Sequence, residues 1–344
     1  MLFLSLFTAT AWPCAGLFHE EGLLAESDVQ EAIFEQTAEG VQVSYLAQYD
    51  GDAASFGWVI PIFGEFQSIE DGDPERFTEL REQTQPTVYR SYAEEEPACG
   101  CGATAGKADN SLGDTAATDR GFDVVAEGFT GTFDYAVIEG DDAQGILDWL
   151  DQNGWQIADS EAAISAYVAE GGVRFVALSL APQSAETSSE GRQLPPVVIQ
   201  YAGDSMRFPA TMARYGAVAE VRTTLWVLGE QQARVGGWSQ TTLSPLEGSI
   251  DEEPEQVWLD GLRAMSAQSP VYNLTWAGDY DGAFLTRFDT LAPKEVHTLD
   301  VTFTADGGTN HASTEVWLYE ESSSSVGLLM LPLALLGAGL RRRR

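Results

Sequence analysis

Three cysteines and one histidine carry the clearest chemistry in this 344-residue sequence: Cys14, His19, Cys99 and Cys101. Thiolates and imidazole are the usual ligands of tetrahedral zinc, and these four make a Cys3His set. Two observations weigh against the metal. Cys99-Gly100-Cys101 is closer than the common zinc spacing, and thiols outside the cytoplasm oxidise. A disulfide from Cys14 to Cys99 or Cys101 is then the default, with a strained, reducible Cys99–Cys101 bond as a further choice. Carboxylates come next. Asp52, Asp204, Asp279 and Asp281 lie in Gly-Asp or Asp-x-Asp-Gly turns, whose hard oxygens suit a structural calcium. None completes the D-x-D-x-D-G loop, so solvated turns are the simpler reading.

Nucleophilic hydrolysis finds little support. The three histidines are His19, His297 and His311, and there is no G-x-S-x-G or H-E-x-x-H. His297 and His311 are expected beside late strands, exposed. A hydrolase working through two carboxylates stays open, because 53 acidic residues offer too many pairs to discriminate. Those 53 face only 18 basic residues, for a net charge of −35. Such a surface repels phosphate backbones, which excludes nucleic acid as a partner.

The two ends read as addresses. Residues 1–11 have a short apolar core and the small-x-small pattern Ala9-Thr10-Ala11, a secretory signal cut after Ala11. At the other end, Ser322 to Ser325 precede the apolar run Val326 to Leu340, and Arg341 to Arg344 follow. A full helical span takes about 20 residues and this run is shorter, though a thin bilayer would suit it. The arginines would stay on the cytoplasmic side. The tail resembles bacterial C-terminal sorting signals of the rhombosortase, exosortase and MYXO-CTERM type, without their Gly-Gly or Cys mark. Residues 320–344 are therefore expected to anchor or sort the chain, with the cell envelope or membrane and a sorting protease as partners.

Between these ends the body needs elements able to hold a site. Val41 to Ala47 alternates apolar and polar residues as a half-buried strand does, after the turn Glu39-Gly40. Phe56 to Ile62 is a second apolar strand. Asp73 to Gln83 reads as a helix with Asp73 as cap and Pro74 at its first position. Residues 94–121 have few large apolar side chains and read as a flexible linker carrying two of the cysteines. Phe133 to Glu139 is a strand. A helix follows, capped by Asp141 or Asp142, with Ala143, Ile146, Leu147 and Leu150 on one face and Asn153-Gly154 as its stop. Ser160 begins a second helix, and Val173 to Leu180 is apolar enough to be a central strand. Further strands are expected at 196–201, 221–228, 273–276, 283–288, 296–303 and 313–319, with a helix at 257–267.

The spacing predicts an α+β fold, mostly antiparallel sheets with a few helices packed on one face, in two lobes. An N-terminal β-rich lobe takes residues 12–93, and the main lobe takes 122–319. Gln48 to Phe56 and Gln200 to Phe208 share Q-Y-x-G-D-x-x-x-F, and Trp276 to Asp279 repeats its centre. The echo is either a duplicated unit or a common turn in a Gly-rich chain.

An ordered series of motifs resembles one bacterial family. It includes Cys14-Ala15-Gly16-Leu17-Phe18, Tyr49 to Ala53 leading into Phe56 to Pro61, and Phe133 to Glu139 before Leu147 to Leu150 and Asn153-Gly154. It continues with Tyr167 to Gly171 before Phe175 to Leu178, then Trp226 to Gly229 and Phe284 to Phe288. The family is known as domain of unknown function 2330. The resemblance implies an exported bacterial protein and brings no catalytic residues. Its members typically begin C-G-G-F-F-C. His19 stands here in place of the second cysteine, a change that keeps zinc ligation and loses a disulfide. The reading that best joins these features is an exported envelope protein that binds or scaffolds. The alternatives are a carboxylate hydrolase of envelope or extracellular polymers and a metal or redox module at Cys14, His19, Cys99 and Cys101.

Overall fold

The computed structural model describes residues 17–18, 27–46, 57–91, 122–153, 160–181, 195–243, 245–305 and 308–319. In chain order these form β1 (Leu17–Phe18), β2 (Ser27–Gln36), β3 (Val41–Leu46), β4 (Gly57–Ile62), β5 (Phe66–Asp71), α1 (Pro74–Thr84) and β6 (Thr87–Ser91). Then come β7 (Phe122–Phe129), β8 (Phe133–Gly140), α2 (Ala143–Gln152), α3 (Glu161–Glu170), β9 (Arg174–Leu180), β10 (Val197–Tyr201), β11 (Arg207–Phe208) and the short α4 (Ala210–Ala213). The rest are β12 (Ala217–Gly229), β13 (Ala233–Gly236), β14 (Ser239–Thr241), β15 (Leu246–Ser249), α5 (Pro254–Met265), β16 (Val271–Tyr280), β17 (Ala283–Pro293), β18 (Val301–Ala305), β19 (Ala312–Ser313) and β20 (Glu315–Tyr319).

Two large sheets face each other. One runs β1-β4-β9-β8-β7, antiparallel throughout. The other runs β14-β16-β17-β12-β2-β3-β10-β5, with β19 beside β16. It is mostly antiparallel, with β12 parallel to β2 and β14 parallel to β16. Strands from before residue 94 and from after residue 121 occur together in both sheets. The central position expected for the 173–180 strand is met: β9 is the middle of five.

The alternation of side chains explains the layers. Phe34, Val43, Leu225, Val227 and Phe288 of the larger sheet pack against Trp58, Ile60, Phe133, Val176 and Leu178 of the smaller one. The small sheet β11-β18-β13 closes this core with Phe208, Val301 and Phe303. Residues of opposite parity point outward and are covered by helices. On the smaller sheet, Val59, Ile138 and Phe175 lie under Ile146 and Leu150 of α2 and Ile164 and Tyr167 of α3. On the larger, Ile33, Trp226 and Leu285 lie under Phe77 and Leu80 of α1.

Local signals place these helices as expected. The Asp73 carboxylate accepts the Glu75 N–H at 2.9 Å, and Asp142 accepts that of Gln144 at 3.1 Å. Arg76 and Arg81 of α1 pair with Glu35 and Glu31 of β2, which pins the helix to the sheet it covers. Gly40, at φ +147°, has room for no side chain: a Cβ there would meet the Tyr201 carbonyl oxygen at 2.2 Å. The strand expected from 296 starts only at Val301. Residues Lys294–Val296 form a 3-10 turn after Pro293 instead.

Candidate functional site

The second small sheet, β15-β20-β6, is parallel, and among the described residues one of its faces is open. Val316 and Leu318 of β20 point toward Trp258 and Leu262 of α5. By alternation Glu315, Trp317 and Tyr319 point the other way. Trp317 is opposite Tyr89 of β6, and the rings stack at 4.3 Å with 19° between their planes. Glu247 of β15 is the other neighbour of Trp317. The indole N–H donates to Glu315 Oε2 at 3.0 Å, which fixes the ring. Tyr89 is 39% exposed and Tyr319 43%, and every residue of β6 is exposed. The result is an aromatic ridge edged by Glu247 and Glu315. Such a surface contacts apolar groups and attracts cations, through charge and through the rings.

The buried acids are arranged otherwise. Asp289, wholly buried on the outer face of β17, accepts from Arg287 Nε at 2.8 Å, Arg287 Nη2 at 3.0 Å and Thr224 Oγ1 at 2.7 Å. The Arg287 guanidinium lies 5.5 Å from the Trp226 ring and 5.3 Å from Trp258. Asp300, just before β18, accepts from Tyr167 Oη at 2.8 Å, Arg207 Nε at 2.8 Å and the Thr211 N–H at 3.0 Å. Burial alone would lower the Arg207 value, but its bonds to Glu170 and the nearby Asp300 outweigh that and hold it raised. Burial also pushes the Tyr45 and Tyr167 phenols well up, with Tyr201 and Asp300 adding to the effect on Tyr45 and Asp300 to that on Tyr167, so both are neutral. Glu31, also buried, is gripped by Arg81.

The residues singled out in the sequence fall in two groups. Cys14, His19, Cys99, Cys101 and Asp52 lie outside the described residues. Asp204, Asp279 and Asp281 are described, and they occupy turns or strand ends. Asp281, at φ +46°, and Gly282, at φ +81°, form the tight turn joining β16 to β17. Asp279 is exposed beside His311, at 3.3 Å. Asp204 follows Gly203 in the turn after β10, and its carbonyl accepts the Met206 N–H. Among the described residues no three His, Cys, Asp or Glu side chains converge on a metal position.

His297 corrects the sequence reading. Expected exposed, it is buried at 2%, because the chain folds back after Pro293 and tucks the ring inside. Burial, with the Arg214 charge beside it, lowers its pKa to about 4 against a bond to the Ala292 backbone. Arg207 and Arg287 were missed: Arg287 stands two residues before Asp289 in an apolar strand, a signal for a buried pair on one face, whereas Arg207 meets Asp300 only through the fold. No helix among the described residues is long and apolar enough to cross a membrane. Residues 326–340 are not among them.

Sheets packed face to face, with helices on their outer faces, define an α+β protein of mainly antiparallel strands. The chain belongs to the family described as "Uncharacterized protein conserved in bacteria", domain of unknown function 2330, which matches residues 8–304. No curated protein matches it. Among solved structures it is similar to the crystal structure of baculovirus P35, at 10% identity over 83% of this chain and 92% of that one, with a TM-score of 0.32. A mutated baculovirus P35 after caspase cleavage is similar at 9% identity over 83% and 95%, with a TM-score of 0.33. Likeness that weak carries no argument about function.

Proposed function

We propose that the protein is an exported, envelope-associated binding or scaffold module, held at the membrane or sorted to the surface by residues 320–344. The ridge of Tyr89, Trp317 and Tyr319 between Glu247 and Glu315 carries this reading. Aromatic side chains left at an open sheet face are the type that anchors interfaces. The carboxylates and the net charge of −35 favour a partner with cationic groups. The buried acids among the described residues support binding over hydrolysis. A glycosidase needs two opposed carboxylates roughly 5–10 Å apart that exchange protons with substrate. Glu31, Asp289 and Asp300 are each bound to an arginine instead.

The test is crosslinking of the full chain in cells, followed by fractionation. The native protein is expected in the envelope fraction with crosslinked partners. The Tyr89→Ala/Trp317→Ala variant should keep its location and lose them. Unchanged crosslinks would remove the ridge as the binding face, and a cytoplasmic native protein would overturn the address.

A further inference from the structure

A polar row crosses the inner face of the larger sheet at one end. Gln30 of β2 is in register with Thr223 of β12, and Thr223 with Thr290 of β17. Tyr272 of β16 precedes the Asn273–Asp289 pair and so continues the row beyond Thr290. All four side chains are at least 99% buried. His297, in the turn that follows β17, bonds the backbone of Ala292, two residues beyond Thr290, and lies near Arg214, the neighbour of the Ala213 that Gln30 bonds.

Four atoms of this group find no hydrogen-bond partner among the described residues: Gln30 Oε1, Thr223 Oγ1, Tyr272 Oη and His297 Nε2. Their neighbours on the same side chains are engaged. Gln30 Nε2 donates to the Ala213 carbonyl at 3.0 Å, which fixes Oε1 as the free end. The His297 ring bonds to the Ala292 backbone. With Nε2 unbonded, the donor is Nδ1–H, and Nε2 of the neutral ring offers a lone pair. Folded proteins leave few buried polar atoms unbonded, and three in one row with a fourth on His297 would remove a large share of a domain's net stability.

The chemistry of the row selects the ligand. Thr223 and Tyr272 can donate, while Gln30 Oε1 and His297 Nε2 can only accept. None of the four is charged. A cation would need carboxylates and an anion would need N–H+ groups. Asp300, the nearby carboxylate, already accepts three bonds. Two donors and two acceptors without charge match water. Strands lie about 4.8 Å apart, so the row from Gln30 to Tyr272 spans about 14 Å, too far for one molecule to bridge. We propose that a short chain of ordered waters is built into this end of the sandwich, bridging Gln30, Thr223, Tyr272 and His297.

Isosteric substitution tests it, because a bridged hydroxyl and an orphaned one respond with opposite sign. In the full chain, Thr223→Val and Tyr272→Phe should each lower the folded-to-unfolded ratio by about three- to tenfold. The double variant should lose less than the sum, since the two hydroxyls share waters. Crystals of the native protein at high resolution should show water within hydrogen-bond distance of Gln30 Oε1 and His297 Nε2. A gain of stability in Thr223→Val, or a dry row in the crystal, overturns the proposal. The crystal keeps the test decisive if a variant fails to fold.

Discussion

Arg207 and Asp300, 93 residues apart in the chain, meet at 2.8 Å and tie β11 to the start of β18. Tyr167 brings α3 to the same carboxylate, and the Thr211 N–H brings α4. Glu170 holds the outer edge of the guanidinium, and the Phe63 ring lies 4.1 Å away. One carboxylate thus joins the start of β18 to α3 and to the consecutive β11 and α4, three stretches that sequence separates widely. Asp300→Ala is expected to cost about 3 kcal/mol, since it takes away the buried partner of Arg207 and leaves it the half-exposed Glu170. Tyr167→Phe removes a single donor and should cost about 1 kcal/mol. Urea unfolding followed by tryptophan fluorescence gives both values. Equal losses would show that the Arg207–Asp300 pair is not the centre of the network.

His297 should make stability depend on pH. Its folded-state pKa is about 4, below the ordinary value of 6.5, so the unfolded chain binds the proton more readily. The contribution is complete above the unfolded value and is lost as pH falls toward the folded one. Between pH 7.5 and 5 the loss should be about 2 kcal/mol. Carboxylates also titrate at the acid end, but they are shared with a His297→Gln variant. The difference between the two pH–stability curves therefore isolates the imidazole. Parallel curves would mean that the ring takes its proton without unfolding.

The contrast between α2 and the Asp300 network shows what was legible. The α2 helix is written locally: Asp142 caps it, and Ile146 and Leu150 sit one turn apart on the buried face. The same holds for α1, with Asp73 and Pro74. Edge strands were harder to see. β6 is exposed along its whole length, so Thr87 to Ser91 has no buried face to impose a period. The aromatic ridge was invisible for that reason, since Tyr89 and Trp317 become neighbours only through strand pairing. The polar row is illegible in the same way. Gln30, Thr223 and Tyr272 look like ordinary strand residues until the register aligns them. The exposure expected for His297 failed because a turn, not a strand, follows β17.

The Arg287–Asp289 pair should behave as a unit. Asp289 has no solvent contact, and Arg287 is covered by Trp226 and Trp258. Arg287→Met alone leaves the carboxylate, among the described residues, with the Thr224 hydroxyl as its one side-chain donor, and is expected to cost about 3–5 kcal/mol. Replacing both, as Arg287→Met with Asp289→Leu, removes the uncompensated charge and should restore most of that loss. A double-mutant cycle in denaturant measures the coupling. A double variant as unstable as the single one would show that the pair is needed for packing beyond its charges.

Export and thiol chemistry can be read from one mass spectrum. The pattern Ala9-Thr10-Ala11 gives an expected mature start at Trp12, two residues before Cys14. In an oxidising compartment Cys14, Cys99 and Cys101 should supply one disulfide and one free thiol, because three is odd. The native protein, taken from the envelope without reductant, should therefore lack residues 1–11 and weigh two hydrogens less than its reduced form. Alkylation before reduction should label one cysteine. His19 gives the competing zinc site its fourth ligand, and that state has a distinct signature. All three thiols would be recovered reduced, together with a metal that chelators remove. That result would overturn the disulfide and move the chemistry of this chain to its N-terminal cysteine and His19.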